Sequence, residues 1–105
     1  MPTKAQPAAT GQQDGLEVVA VLRALADPVR LELVRQLRNS EVPIACGTFE
    51  VSVAKNTLSH HFKTLREAGV IITHRVGTQA LNVLQEDSLD ASFPGLLDAV
   101  APRRR

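Results

Sequence analysis

Between Lys55 and Arg75 the chain gathers short polar and basic side chains: Lys55, Asn56, Thr57, Ser59, His60, His61, Lys63 and Arg75. Amide, hydroxyl and imidazole groups on short stems can donate and accept hydrogen bonds at base edges when a helix lies in a major groove, while ammonium and guanidinium groups neutralise phosphates. Leu58, Phe62 and Leu65 fall at i, i+4 and i+7, followed by Val70, the spacing of a buried helical stripe. The polar residues lie largely off that stripe, so one face can be buried while the other reads a groove. Asn56 and His60 are the strongest base-reading candidates, with Ser59 beside them. His61 adjoins Phe62 and suits packing or a phosphate contact as well as a base.

The flanking segments must hold that helix in place. From Gly15 to Ala26, the residues Leu16, Val18, Val19, Val21, Leu22 and Leu25 cover more of a helix circumference than one core-facing stripe needs. This predicts a helix buried on two sides, one against its own domain and one against a second copy of the chain. Asp27-Pro28 restarts the chain, with Asp27 as N-cap and Pro28 at the first helical position, where a missing donor costs nothing. The second helix carries Leu33, Val34 and Leu37 inward and ends near Asn39-Ser40. Pro43 and Gly47 limit Glu41–Ser52 to a short helical turn or a loop. The polar helix then runs from about Ala54 to Ala68, and Gly69 sits where a left-handed cap is wanted. Val70–Val76 and Ala80–Leu84, joined by Gly77-Thr78-Gln79, read as a β-hairpin. A hairpin there is a wing, and it places Arg75 to enter a minor groove or meet backbone. Leu89, Phe93, Leu96, Leu97 and Val100 are helically spaced but interrupted by Pro94-Gly95, so a final helix starts afresh near Pro94.

Composition bounds the rest. With 105 residues and 44% hydrophobic content, the chain fits one small core. The formal net charge is only +1, so nucleic-acid binding must come from local clustering. Lys55, Lys63, Arg66 and Arg75 face the single acid Glu67, whereas Glu86, Asp87, Asp90 and Asp98 gather later. Cys46 is the only cysteine and cannot form an internal disulfide. No apolar run approaches the roughly 20 residues of a membrane span, and the start lacks the features of a secretory signal, so the expected location is cytoplasmic and no membrane partner is expected. Residues 1–14 read as a disordered tail without large apolar side chains, 15–101 as the domain, and 102–105 as a solvated C-terminal tail whose three arginines reach a phosphate if that end lies near DNA.

The order of elements, mostly α with one small hairpin, resembles the ArsR/SmtB-type winged helix-turn-helix repressors of bacteria. The resemblance rests on Leu25-Ala26-Asp27-Pro28-Val29-Arg30-Leu31-Glu32-Leu33-Val34, on Thr57-Leu58-Ser59-His60-His61-Phe62-Lys63-Thr64-Leu65-Arg66-Glu67-Ala68-Gly69-Val70-Ile71, and on the wing start Arg75-Val76-Gly77. It spans about Leu16 to Leu84. It implies a homodimer joined through its first and last helices, here Leu16, Val19, Leu22, Phe93, Leu96, Leu97 and Val100. It further implies two recognition helices in successive major grooves of a palindromic operator, and repression relieved by an effector that the sequence does not identify. Ala54 stands where the family usually places a capping Ser, leaving Ser52 to cap an earlier helix start.

Several other chemistries fit poorly. Metal-sensing members carry a Cys-x-Cys before the recognition helix, or paired Asp, His and Glu ligands with some on the final helix; here Cys46 stands alone and Asp87, Asp90 and Asp98 come without a histidine. No metal or cofactor is expected. Cys46 is either a small packing residue, the reading favoured by its lack of an activating neighbour, or a redox-sensing thiol. No Gly-rich phosphate loop or catalytic constellation is present, and Ser59-His60 are neighbours pointing in different directions on a helix, so the chain does not read as an enzyme. The alternative to a DNA-binding regulator is a winged-helix module that contacts proteins only.

Overall fold

The computed structural model describes residues 16–104; the tail expected over residues 1–14 lies outside them, as does Arg105. The first helix is α1 (Val18–Leu25), begun where the Glu17 side chain accepts hydrogen bonds from the backbone N–H groups of Val19 and Ala20; the expected start at Gly15 lies outside the described residues. Val21, Ala24 and Leu25 are buried at i, i+3 and i+4, while Val18, Val19 and Leu22 stand 47%, 47% and 48% exposed. Within this chain α1 therefore buries a single side and leaves a second apolar side open.

Helix α2 (Pro28–Arg38) begins as its sequence predicts. The Asp27 carboxylate accepts from Val29 N–H at 2.9 Å and Arg30 N–H at 3.0 Å, with Pro28 in the first turn. Leu33, Val34 and Leu37 enter the core. Asn39 closes the helix with its N–H on the Arg35 carbonyl. A two-residue strand, β1 (Ile44–Ala45), and a single 3-10 turn, Cys46–Thr48, follow. The turn agrees with the expected abbreviated connector. The strand has no sequence signature of its own, being two residues beside a proline.

Helix α3 (Lys55–Glu67) starts at Ala54, in extended conformation and without any side-chain cap, so Ser52 does not cap an earlier turn. Its far end is well made. Gly69, at φ 81°, lets its own N–H reach the Arg66 carbonyl and Val70 N–H reach the Leu65 carbonyl, the paired bonds of a Schellman motif. A Cβ at Gly69 would also lie 2.6 Å from the Leu16 side chain, so both conformation and space call for glycine.

The hairpin pairs β2 (Ile71–Val76) with β3 (Gln79–Leu84), from Ile71 opposite Leu84 to Val76 opposite Gln79. Gln79 thus belongs to the strand, and Gly77-Thr78 alone make the turn, with Gly77 at φ 63°. β1 adds to the other edge of β3, giving the antiparallel order β1-β3-β2. The last helix restarts near Pro94 as expected, as α5 (Leu96–Val100), and a separate short helix not expected as such, α4 (Glu86–Ser92), precedes it across Pro94 and Gly95 at φ 87°.

A continuous core of Val21, Leu33, Val34, Leu65, Val70, Leu89 and Leu97, each fully buried, joins α1, α2, α3, the sheet and both terminal helices. Leu97 is consumed by this core and has no surface left for a subunit interface, unlike the half-buried Phe93, Leu96 and Val100. The C-terminal residues 102–104 stay exposed, as expected of a tail, but are hydrogen-bonded along the end of α2. Arg38, only 5% exposed, donates to Asp98 at 2.7 Å, to the Ala101 carbonyl at 3.2 Å and to Glu86 at 3.4 Å. Arg103 bonds both Glu86 and the Arg38 carbonyl, and Asn39 accepts from Arg104 N–H. Burial works against the Arg38 charge, but the Asp98 and Glu86 carboxylates outweigh it and hold the guanidinium pKa above its ordinary value.

Candidate nucleic-acid interface

Helix α3 divides as its spacing predicts. His61, Phe62 and Leu65 are buried and Leu58 half-buried, while Asn56, Ser59, His60 and Lys63 line the opposite side at i, i+3, i+4 and i+7, all exposed. Lys55 and Thr57 flank that stripe and are also exposed. Asn56 turns its side-chain oxygen toward Thr57 N–H at 2.9 Å, covering one of the helix's free N-terminal donors. Arg75 stands exposed near the tip of the wing, opposite Ala80.

His61 does not belong to this face. It is 8% exposed, and its Nδ1 accepts a hydrogen bond from Arg30 at 2.9 Å. An arginine can only donate, so the neutral ring carries its proton on Nε2. Arg30 also donates to the Ala24 carbonyl at 2.7 Å and the Arg23 carbonyl at 3.4 Å, joining the end of α1 to the middle of α3. Asp27 lies 3.8 Å from His61. The Arg30 backbone N–H bond, helped by the nearby Arg30 charge and opposed by burial, draws the Asp27 carboxyl below its ordinary pKa. His61 is thus a packing residue that sets the roll of α3, and it cannot reach a base edge. Sequence reasoning included Arg30 only as part of the Asp-Pro block; its place one turn beyond the cap was the available signal.

The loop in front of α3 is held by a second device that the sequence did not announce. Gln36 on α2 donates to the Glu50 carbonyl and accepts from Glu50 N–H, each at 3.0 Å, while Phe49 packs on Phe62 with ring centroids 5.2 Å apart. Glutamine and phenylalanine at those positions have no local pattern that reveals such pairing. Cys46 is half-buried, its sulfur 3.3 Å from the amide nitrogen of the fully buried Asn82, which also donates to the Ile44 carbonyl and accepts from Thr73.

The charges follow the same division. Arg35, Arg38 and Arg103 are paired with carboxylates, whereas Lys55, Lys63, Arg66 and Arg75 have no such partner among the described residues. Arg23, Arg30 and Arg104 also lack a carboxylate partner, but four of the seven such cations among the described residues lie on α3 and the wing, an arrangement that favours a polyanion. Among the described residues no three His, Cys, Asp or Glu side chains converge to hold a metal ion, and no helix is long and apolar enough to cross a membrane.

Comparison with known proteins agrees with this geometry. Residues 25–74 match the helix-turn-helix domain family. The chain is 34% identical over 91 residues to the uncharacterized HTH-type transcriptional regulator YceK of Bacillus subtilis, covering 85% of this chain and 91% of that protein. It is 33% identical to the arsenical resistance operon repressor of Staphylococcus xylosus over 70% of this chain and 71% of the relative. Among solved structures, the transcriptional repressor BigR from Xylella fastidiosa superposes with a TM-score of 0.58 at 30% identity, covering 72% of this chain and 85% of that one. With the fold, the α3 stripe and these relatives in agreement, the chain belongs to the ArsR/SmtB-type family of winged helix-turn-helix transcriptional repressors, DNA-binding regulators rather than enzymes.

Proposed function

We propose that the protein acts in the cytoplasm as a homodimer that represses transcription by placing one α3 from each protomer in successive major grooves of a palindromic operator. The observation that carries this reading is the exposed stripe Asn56, Ser59, His60 and Lys63, set opposite a buried stripe and beside cations without carboxylate partners. Asn56 and His60 read base edges, Thr57 and Ser59 contact bases or the adjoining backbone, and Lys55, Lys63 and Arg75 neutralise phosphates. The second subunit is supported by the open side of α1. Val18, Val19 and Leu22 form an apolar face that a lone protomer leaves in water, and Leu16, Phe93, Leu96 and Val100 extend the candidate interface.

Selection of bound duplexes from a random pool tests specificity and symmetry together: a palindrome with half-sites about one helical turn apart is expected. Titration with salt tests the electrostatics. Three phosphate-binding cations per protomer give six per dimer, so log affinity should fall against log salt with a slope of about −5. Absence of duplex binding at low salt would sink the proposal and favour a module that contacts proteins only. Val19→Glu should turn the dimer into a monomer in sedimentation, with the operator affinity falling in step.

A further inference from the structure

Beside the start of α3 lies a cavity of about 390 Å³, near the lower end of the roughly 300–1,000 Å³ of small-molecule sites. Phe49, Val51, Leu58 and Phe62 supply its apolar walls, and Lys55 and Arg66 stand at its exposed edge. None of its lining residues is acidic, and neither cation has a carboxylate partner among the described residues. The cavity is thus apolar within and cationic at its edge, without an internal anion to balance it.

We propose that this cavity binds a small amphipathic carboxylic acid, its hydrocarbon body against Phe49, Val51, Leu58 and Phe62 and its carboxylate at Arg66, and that occupation competes with DNA. The physical reasons are complementary. The apolar walls favour a hydrocarbon body, while the unpaired Arg66 at the edge selects a negative head over a neutral one. Competition rests on the DNA-binding reading above. Lys55 and Ser59 belong to both the cavity and the DNA-facing side of α3, so a bound acid occupies groups needed by the operator.

The test titrates octanoate and its uncharged counterpart octanamide into the full-length protein without DNA, by calorimetry and by backbone amide spectra. Octanoate should bind at least about tenfold more tightly than octanamide, with spectral changes centred on Phe49, Val51 and Leu58. Val51→Phe, which fills the cavity, should weaken both probes by about tenfold, and Arg66→Gln on the exposed edge should bring octanoate close to the octanamide value. Saturating octanoate should then weaken duplex binding by about tenfold. Equal affinity for the two probes, no binding to the folded protein, or changes centred on the open face of α1 would overturn the site. Octanoate binding with unchanged duplex affinity would overturn the competition. Octanoate binding by a protein that binds no duplex at any salt would instead overturn the DNA-binding reading and support the cavity alone.

Discussion

Helices α2 and α3 are packed neighbours that begin in opposite ways. At α2 the Asp27 carboxylate holds two backbone N–H groups and Pro28 removes another donor, while Arg38 and Asn39 at its end bind the docked C-terminal segment. At α3 only the C-terminal end is comparably closed, by Gly69. Its start has Ala54 in the capping position, followed by the exposed Lys55, Asn56 and Thr57. One helix satisfies its polar groups within the chain, and the other presents donors and positive charge outward. A framework helix and a recognition helix can thus be told apart by where their polar groups are satisfied, even when both bury an apolar stripe.

The largest test of this contrast is at the closed end of α2. Arg38→Ala should lower stability by about 3 kcal/mol in chemical denaturation, since it strips a buried cation from two carboxylates and a carbonyl; the value sits at the low end for a buried pair because Asp98 is 76% exposed. On the open face of α3, Asn56→Ala or His60→Ala should cost about 1–3 kcal/mol of operator affinity with the unfolding midpoint unchanged. His61→Ala should do the reverse, lowering stability by about 1–2 kcal/mol through the lost Arg30 bond while base preference in the selected operator stays the same. If His60→Ala destabilised the fold and His61→Ala altered base preference, the assignment of faces would be wrong.

Smaller effects are expected at the two helix starts. Asp27→Ala should cost about 1 kcal/mol at neutral pH. Because the Asp27 carboxyl titrates below its ordinary value in the folded chain, its contribution is fully present above an unfolded pKa of about 3.9 and is lost as the pH falls through the lowered folded value. Asp27→Asn should therefore flatten the acid limb of a stability profile below about pH 4, whereas an unchanged limb would remove Asp27 from the account. Ala54→Ser, which supplies the missing cap, should raise stability by about 0.5–1 kcal/mol. No gain would show that the extended backbone at Ala54 does not present its side chain to α3.

The parts legible in the sequence are those whose causes are local. Asp27-Pro28 marks the start of α2, Gly69 the end of α3, and Gly77 the wing turn, because each depends on a residue's own backbone preference and on neighbours within one turn. The apolar stripe Leu58, Phe62 and Leu65 likewise places the polar residues of α3 opposite the core. The docked C-terminal segment was not legible, because a short arginine run has the same composition whether it is solvated or tied to Arg38, Asn39 and Glu86. Leu97 and Leu96 are equally apolar neighbours, yet only the packing of α5 shows that the first is fully enclosed and the second retains surface.

By itself, then, the sequence determined the first three helices, the wing and a polar, basic face on α3, since periodicity and capping act over a few residues. Tertiary structure alone decided which polar side chains are inside. His61 is withdrawn by Arg30, 31 residues away; Asn82 is held by Ile44, 38 away; and Arg38 is enclosed through Asp98, 60 away. The free energy of burying a polar group depends on whether a partner meets it in space, and chain separations of this size leave no periodic trace from which that meeting can be read.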